Sequence, residues 1–185
     1  MSFLGARGRL EAELVPKAGY EVDLLDLSGI DRKNPVKAAR AAFQAAAAIP
    51  KARKLIKARG ADAVVGGGGF VAGPGGVAAR RLKLPLVLTE ADRHLGLANR
   101  LLAGRADRVC LAFEIDGVGG ENVRITGRPV GRAVLNADRG KARARFGIAP
   151  DARTLLVMGG SQGARTINLA AVEALADGFD SWGVN

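Results

Sequence analysis

The feature that most constrains the fold is an alternation of short apolar strands with helices, in which two strands run directly into glycine. The stretch ADAVVGGGG at 61–69 ends one such strand, and TLLVMGG at 154–160 ends another. Helical patterns restart after both glycine runs. Strands and helices alternating at this spacing indicate parallel βαβ units with both faces of the sheet covered. The sequence therefore predicts an α/β protein with a Rossmann-like parallel sheet.

The same pattern continues along the chain. Pro50 predicts an interruption in the helical region 35–59, because proline removes a backbone donor. Pro74 is expected in the first turn of its helix. SFLGAR, near the start, is predicted to be a strand whose beginning is missing from the sequence. The predicted strands are 20–27, 61–69, 84–91, 106–113 and 122–127, and the predicted helices are 35–59, 73–82, 94–104 and 164–176.

A change of composition predicts two domains. Residues 127–153 are rich in glycine, proline and charge, which is typical of an interdomain connection. We expect an amino domain at 1–134, a connection with one short basic helix at 135–152, and the start of a second domain at 153–185. Because a lone strand-helix unit cannot cover its own apolar faces, we expect the sequence to be a fragment.

The net charge of +10 predicts an acidic partner. The basic clusters lie in helical segments with few aromatic residues, whereas grooves for single-stranded nucleic acid stack bases on aromatic side chains. We therefore expect an anionic lipid surface or a diphosphate rather than nucleic acid, with plain solvated helix faces as the alternative. The single cysteine, Cys110, predicts neither a disulfide nor a metal cluster. No apolar run reaches the length of a membrane span.

Both glycine-rich turns are candidate sites for a phosphate group. GGGGFVAGPGG at 66–76 and GGSQGA at 159–164 each join a strand to a helix. Glycine lets a backbone approach a ligand closely, and the free amides of a helix N-terminus favour an anion. The alternatives are a flexible loop for the first turn and a tight turn capped by Ser161 for the second. The second turn lacks the spacing of a dinucleotide fingerprint and the lysine of a Walker loop.

TEADRH at 89–94 follows another strand, so its side chains are expected at the same sheet edge as the glycine turns. Glu90 and Asp92 can accept protons from sugar hydroxyl groups, and Asp92 can alternatively cap the next helix. His94 is the only histidine, and we expect it at the start of that helix in a structural role. No cluster of histidine and carboxylates predicts a metal site.

Four stretches together resemble the family of UDP-N-acetylglucosamine–N-acetylmuramyl-(pentapeptide) pyrophosphoryl-undecaprenol N-acetylglucosamine transferases (MurG). The resemblance spans nearly the whole chain in collinear order. Its most specific pieces are the glycine turn at 66–76 and GGSQGAR at 159–165. The stretches are LEAELVPKAGYEVDLL, VVGGGGFVAGPGGVAARRLKLPLVLTEA, GLANRLLA and LLVMGGSQGARTIN.

The resemblance implies a role for each turn: the first is similar to the loop for the acceptor's diphosphate, the second to the turn that contacts UDP. Asp92 occupies the place of a family asparagine, and Arg132 follows Gly131, where a UDP-contacting arginine is expected. Glu90, retained from the family's His-Glu-Gln-Asn stretch, is the candidate catalytic residue, since the family's first-loop histidine has no counterpart. The implied acceptor residues are Gly67, Gly68, Gly69, Gly73, Gly75 and Gly76, and the implied donor residues are Gly160, Ser161, Gln162, Asp92 and Arg132.

The family consists of GT-B enzymes with two Rossmann-like domains. They move N-acetylglucosamine from UDP to undecaprenyl-diphospho-N-acetylmuramoyl-pentapeptide (lipid I) by inverting displacement, peripherally on the cytoplasmic face of the cell membrane. The resemblance implies UDP-N-acetylglucosamine, lipid I and an anionic membrane surface as partners, with no cofactor, metal or nucleic acid. The glycine turns leave two alternatives open: another GT-B UDP-sugar transferase, or a non-catalytic module that binds diphosphates or membrane surfaces. We expect this chain alone to show negligible transfer.

Overall fold

The computed structural model describes residues 1–27, 34–160 and 164–176. They belong to two compact units, Met1–Pro129 and Val130–Asn185. The proposed connection at 135–152 stays a prediction. The first unit contains β1 (Ser2–Ala6), α1 (Glu11–Lys17), β2 (Glu21–Leu25), α2 (Pro35–Ala58), β3 (Val64–Gly66), α3 (Gly69–Arg81), β4 (Leu86–Glu90), α4 (Leu97–Leu102), β5 (Arg108–Leu111) and β6 (Val123–Ile125).

The strands of the first unit form two parallel sheets. β1 pairs with β2 in one sheet, and the other sheet has the order β3-β4-β5-β6. Both sheets pack on a shared apolar cluster, to which β1, β2 and β3 contribute Leu4, Leu25 and Val64. Helices α2 and α3 complete this cluster with Ala52, Ile56 and Ala78. The prediction of a parallel α/β fold is confirmed.

A second apolar cluster lies under the four-stranded sheet. β4 and β5 contribute Leu86, Leu88, Val109 and Leu111, which are all completely buried. Burying one side chain of this size contributes roughly 1.5–3 kcal/mol. These residues lie on the two central strands, and their burial holds the sheet in place. Because β3 pairs in parallel with β4, the carboxyl ends of both strands lie at the same edge of the sheet.

Helix α2 is continuous through Pro50, so the predicted interruption is wrong. The proline removes one hydrogen bond, but alanines surround it and favour the helix on both sides. Asn34 caps the first turn by accepting a hydrogen bond from the Lys37 amide at 3.0 Å, and Pro35 occupies the first position, where no donor is needed. Packing of the carboxyl half on the shared cluster holds the remainder of the helix in place.

Two helices begin elsewhere than predicted. α3 begins at Gly69 rather than Gly73, so Pro74 lies inside the helix and not in its first turn. α4 begins at Leu97, so His94 precedes the helix instead of starting it. In both cases the apolar spacing locates the helix, whereas its first residue depends on contacts that the spacing does not encode.

The second unit contains three helices among its described residues, α5 (Arg132–Leu135), α6 (Arg139–Arg145) and α7 (Arg165–Leu175). α6 agrees with the short basic helix expected in this region, and Asp138 caps it by accepting from the Lys141 amide at 2.8 Å. The strand predicted at 154–158 is wrong for the described residues, since this segment pairs with no other described strand. None of the described helices is long and apolar enough to cross a membrane.

Candidate functional site: a glycine corner beside the end of β4

A glycine corner, residues 66–69, joins β3 to α3 at the carboxyl edge of the four-stranded sheet. Gly68 and Gly69 have φ values of 83° and 70°, which side-chain-bearing residues rarely adopt. A Cβ atom added at Gly67 would meet no atom within 4 Å, so a ligand can approach the backbone there. The amides in the first turn of α3 have no partners within the helix. This corner therefore presents donors to an anion.

Gly73, Gly75 and Gly76 lie inside α3, which corrects the prediction that the whole stretch 66–76 is a turn. Interior amides of a helix donate to carbonyl groups one turn earlier. Gly76 serves packing, because an added Cβ would lie 2.5 Å from the Leu102 side chain of α4. Gly75 is also buried, with Leu4 of β1 3.5 Å from the corresponding position. Within the stretch 66–76, only the corner and the first turn of α3 therefore remain as candidates for contact with a ligand.

Glu90 ends β4 and organises the loop that follows it. Its Oε1 accepts hydrogen bonds from the amides of Ala91 and Asp92, at 3.0 and 3.3 Å. Its Oε2 accepts from the Gly96 amide at 2.8 Å and from Asn99 Nδ2 at 3.0 Å. The carboxylate therefore folds residues 91–96 back onto the end of the strand.

These bonds set the protonation of Glu90. Partial burial raises its pKa, but the hydrogen bonds from Gly96, Asn99, Asp92 and Ala91 together lower the pKa below its ordinary value. A carboxylate held in this state is a weak base, and both its oxygens already accept hydrogen bonds. The arrangement favours a structural role for Glu90 in shaping the site over a role as general base.

Asn99 is a site residue that sequence reasoning missed. It lies on α4 with a fully buried side chain. Nδ2 donates to the Thr89 carbonyl at 2.9 Å and to Glu90, while Oδ1 accepts no hydrogen bond from the described residues. Leaving a buried acceptor unpaired costs about 1–3 kcal/mol. Its signal in the sequence is one polar residue at an apolar position of the helical pattern GLANRLLA.

Asn99 also reaches the glycine corner. Its Nδ2 lies 3.8 Å from the position that a Cβ atom of Gly68 would occupy. One carboxamide therefore contacts the end of β4, the Glu90 loop and the start of α3. The structure brings together the corner and Glu90, as expected for residues at the carboxyl ends of parallel strands.

The remaining predicted residues of the first unit lie at the rim. Asp92 and His94 are exposed in the loop between β4 and α4. Asp92 does not cap α4, because the N-cap residue of this helix is Gly96, which has no side chain to accept from the first turn. Arg9 adds a cation near the corner, since its guanidinium carbon lies 5.4 Å from the centre of the Phe70 ring in the first turn of α3.

Apart from Asp92, the predicted donor residues belong to the second unit. Arg132 is the first residue of α5 and is exposed, and Gly160 is likewise exposed. Ser161 and Gln162 lie outside the described residues, so their roles stay predictions. Within the described ranges, no group of three or more histidine, cysteine or acidic side chains is placed to hold a metal ion.

Glycosyltransferases include parallel α/β proteins in which a glycine-rich turn at the end of a strand can bind an anion through its backbone amides. The family model described as the glycosyltransferase family 28 N-terminal domain matches residues 1–111. The chain belongs to this glycosyltransferase family.

The relatives are more specific. A UDP-N-acetylglucosamine--N-acetylmuramyl-(pentapeptide) pyrophosphoryl-undecaprenol N-acetylglucosamine transferase of Mycolicibacterium smegmatis is 42% identical over 183 residues, which cover 94% of this chain and 47% of the relative. The protein of the same name from Phocaeicola vulgatus is 37% identical over 94% of this chain and 47% of its own length. The chain thus spans about half the length of these curated relatives.

A solved structure agrees with these relatives. The crystal structure of Acinetobacter baumannii MurG superposes with a TM-score of 0.65 at 32% identity, over 91% of this chain and 46% of that one. The resemblance of the sequence to the MurG family is confirmed, and so is the parallel Rossmann-like fold that it implies.

Proposed function

We propose that this chain is the acceptor-binding part of an N-acetylglucosamine transferase that acts on a lipid-linked diphosphate sugar. The observation that carries the proposal is the 37–42% identity, over 94% of the chain, to relatives named for that transfer. The name of these relatives contains a pyrophosphoryl-undecaprenol acceptor, and the glycine corner offers the backbone donors that a diphosphate needs.

The structure of the site limits the residues that we propose to contact the acceptor. Gly67, Gly68 and Gly69, with the first-turn amides of Phe70 and Val71, would bind the diphosphate oxygens. Gly73, Gly75 and Gly76 would set how closely α3 packs on its neighbours. Arg9 supplies a positive charge at the same edge. Because exposed amides and a cation attract the same oxyanion, they add to one binding site.

The reaction we propose is direct displacement with inversion. The acceptor's 4-hydroxyl group attacks the anomeric carbon of N-acetylglucosamine and gives up its proton to solvent water, and the bond from that carbon to the UDP oxygen breaks. UDP leaves with the electron pair, stabilised by backbone donors and a helix N-terminus. The residues proposed for the donor are Gly160, Ser161, Gln162, Asp92 and Arg132.

An anionic membrane surface is the second proposed partner. A groove of about 290 Å³ between α3 and α4 is lined by Val77, Arg80, Arg81, Leu102 and Arg105. Three arginines around two apolar side chains suit the acidic headgroups and upper acyl region of a lipid surface. The net charge of +10 acts in the same direction. We propose peripheral attachment to the cytoplasmic face of the membrane.

A chimera tests the transferase proposal. Residues 1–185 of this chain replace the matched stretch of the Mycolicibacterium smegmatis relative, and transfer of labelled N-acetylglucosamine from UDP to lipid I is measured. We expect transfer by the chimera and negligible transfer by the 185-residue chain alone. A folded chimera that binds UDP but transfers nothing to lipid I would contradict the proposed acceptor role.

A further inference from the structure

The Asn99 side chain bonds the end of β4 and Glu90 and lies near the glycine corner, which Thr89 Oγ1 also joins to β4 by donating to the Gly66 carbonyl at 3.3 Å. The Asn99 carboxamide donates 2.9 and 3.0 Å hydrogen bonds to the Thr89 carbonyl and to Glu90 Oε2. Both partners are acceptors, so the orientation of the amide is fixed: nitrogen towards β4 and Glu90, oxygen away from them. The side chain is completely buried.

Packing alone does not explain this residue. Nδ2 satisfies the Thr89 carbonyl and Glu90 Oε2, whereas Oδ1 of the same buried carboxamide accepts nothing from the described part of the chain. Elsewhere in the unit, Asn122 donates two 3.0 Å hydrogen bonds to the Ala103 and Ala106 carbonyls, away from the site, and it has no such unpaired atom in the described structure. Asn122 therefore provides a matched comparison for a purely structural asparagine.

We propose that Asn99 is a positioning residue that fixes the Glu90 loop and the glycine corner relative to each other, so that both face one bound diphosphate sugar. Without the amide, Glu90 Oε2 keeps only the Gly96 donor, and the loop 91–96 loses the side-chain hydrogen bond that joins Glu90 to α4. The corner loses the group that lies 3.8 Å from the Gly68 Cβ position. The inference rests on the proposed function, since it assigns Asn99 to the same site.

The first experiment measures inorganic pyrophosphate binding by calorimetry with the full 185-residue chain. Asn99→Asp keeps the shape but faces the Thr89 carbonyl and Glu90 Oε2, two acceptors, with a carboxyl group that carries at most one proton, so at least one of the two hydrogen bonds is lost. We expect the dissociation constant to rise about tenfold or more, while Asn122→Asp stays within about twofold of the unsubstituted chain. Equal losses in both variants, or no loss in a folded Asn99→Asp variant, would overturn the proposal.

A double-mutant cycle separates positioning from general destabilisation. Pyrophosphate binding is measured for Glu90→Gln, for Asn99→Leu and for the double variant. We expect the loss in the double variant to be clearly smaller than the sum of the single losses, because both substitutions act on the same hydrogen bond. If the double variant binds as weakly as the sum of the single losses, Asn99 does not act through Glu90.

Amide hydrogen exchange tests, without any ligand, whether Asn99 holds the Glu90 loop in place. In Asn99→Leu we expect faster exchange at Ala91, Asp92 and Gly96, whose amides donate to Glu90, with no such change in Asn122→Leu. Unchanged protection at those amides would overturn the proposal. Failure of the unsubstituted chain to bind pyrophosphate would instead count against the proposed function, while the exchange data would still decide whether Asn99 fixes the loop.

Discussion

At the scale of single residues, glycines of one stretch serve two different purposes. Gly73 lies in the interior of α3, and an added Cβ would meet only the Ala98 methyl group at 3.9 Å. Gly73→Ala should therefore raise the free energy of unfolding by about 0.5–1 kcal/mol, because alanine loses less backbone entropy in a helix. Gly76→Ala should lower it by about 1–3 kcal/mol, because the methyl group would overlap the buried Leu102 side chain. Urea denaturation measures both changes.

Gly104→Ala is the control for Gly73→Ala and Gly76→Ala, since an added Cβ at Gly104 meets no atom within 4 Å.

Pyrophosphate binding is a second measurement on the Gly73→Ala variant. Affinity should survive Gly73→Ala if that glycine does not contact the diphosphate. A large loss of affinity in this variant, without a loss of stability, would return Gly73 to the binding site.

Glu90 should make stability depend on pH. Partial burial raises its pKa, but the hydrogen bonds outweigh it, so the folded pKa lies below the ordinary value of 4.5. The unfolded state therefore binds the proton more tightly, and the bonds stabilise the fold above about pH 4.5. This contribution is lost as the pH falls through the folded pKa. Glu90→Gln should destabilise the protein most near pH 7, with a difference that shrinks in acid.

Urea midpoints from pH 7 down to pH 3.5 measure this difference, with the exposed Glu114→Gln as control. A Glu90→Gln effect that stays constant over the whole range would show that the carboxylate charge is not what the four donors stabilise.

Sequence reasoning located Glu90 but not its role, and it missed Asn99. The strand before Glu90 is visible as an apolar run, and position at a strand end follows from the parallel fold. The donors that occupy Glu90 come from Gly96 and Asn99, which approach it only because α4 folds back over the sheet. Tertiary contacts of this kind leave no periodic signal in a single sequence.

At the scale of elements, the strand-helix order was predictable and the ends of the elements were not. The buried strands β4 and β5 follow from apolar runs that are covered on both faces. The segment 154–158 has the same apolar character but forms no strand among the described residues, because a strand needs a partner to pair with. Composition records which residues favour a strand, whereas pairing is a property of the assembled sheet.

The effect of Pro50 on the free energy of unfolding can be tested in helix α2. Pro50 is exposed in the interior of a continuous helix, where proline is up to about 3 kcal/mol less favourable than alanine. Pro50→Ala should therefore raise the free energy of unfolding by about 1–3 kcal/mol, because the missing backbone hydrogen bond is restored. Urea denaturation gives the value.

Pro35→Ala is the matched control for Pro50→Ala, since Pro35 occupies the first position of the same helix. Proline is tolerated there, so we expect a change near zero. Equal effects at the two positions would mean that the Pro50 backbone is not helical in solution.

At the scale of the whole molecule, the net charge of +10 is the property read most directly from the sequence, but its placement comes from the fold. Arg80 and Arg81 are adjacent on α3, and Arg105 joins them only because α4 packs on that helix. The sequence therefore predicts a basic protein that meets an acidic partner, while the structure places three arginines beside one groove, of which Arg80 also pairs with Asp107 at 3.1 Å.

The groove should carry binding to anionic vesicles. Arg81→Gln with Arg105→Gln removes two charges from it, and each cation near an anionic surface contributes about 1 kcal/mol, so the pair should weaken partitioning roughly thirtyfold. Arg53→Gln with Arg128→Gln removes the same charge from exposed positions that do not line the groove and should weaken it much less. Sedimentation with phosphatidylglycerol vesicles measures both, and binding should fall steeply from about 0.01 M to 0.15 M salt as the screening length shortens. Equal losses in the two double variants would assign binding to net charge rather than to the groove, and equal binding to neutral vesicles would exclude an electrostatic attachment.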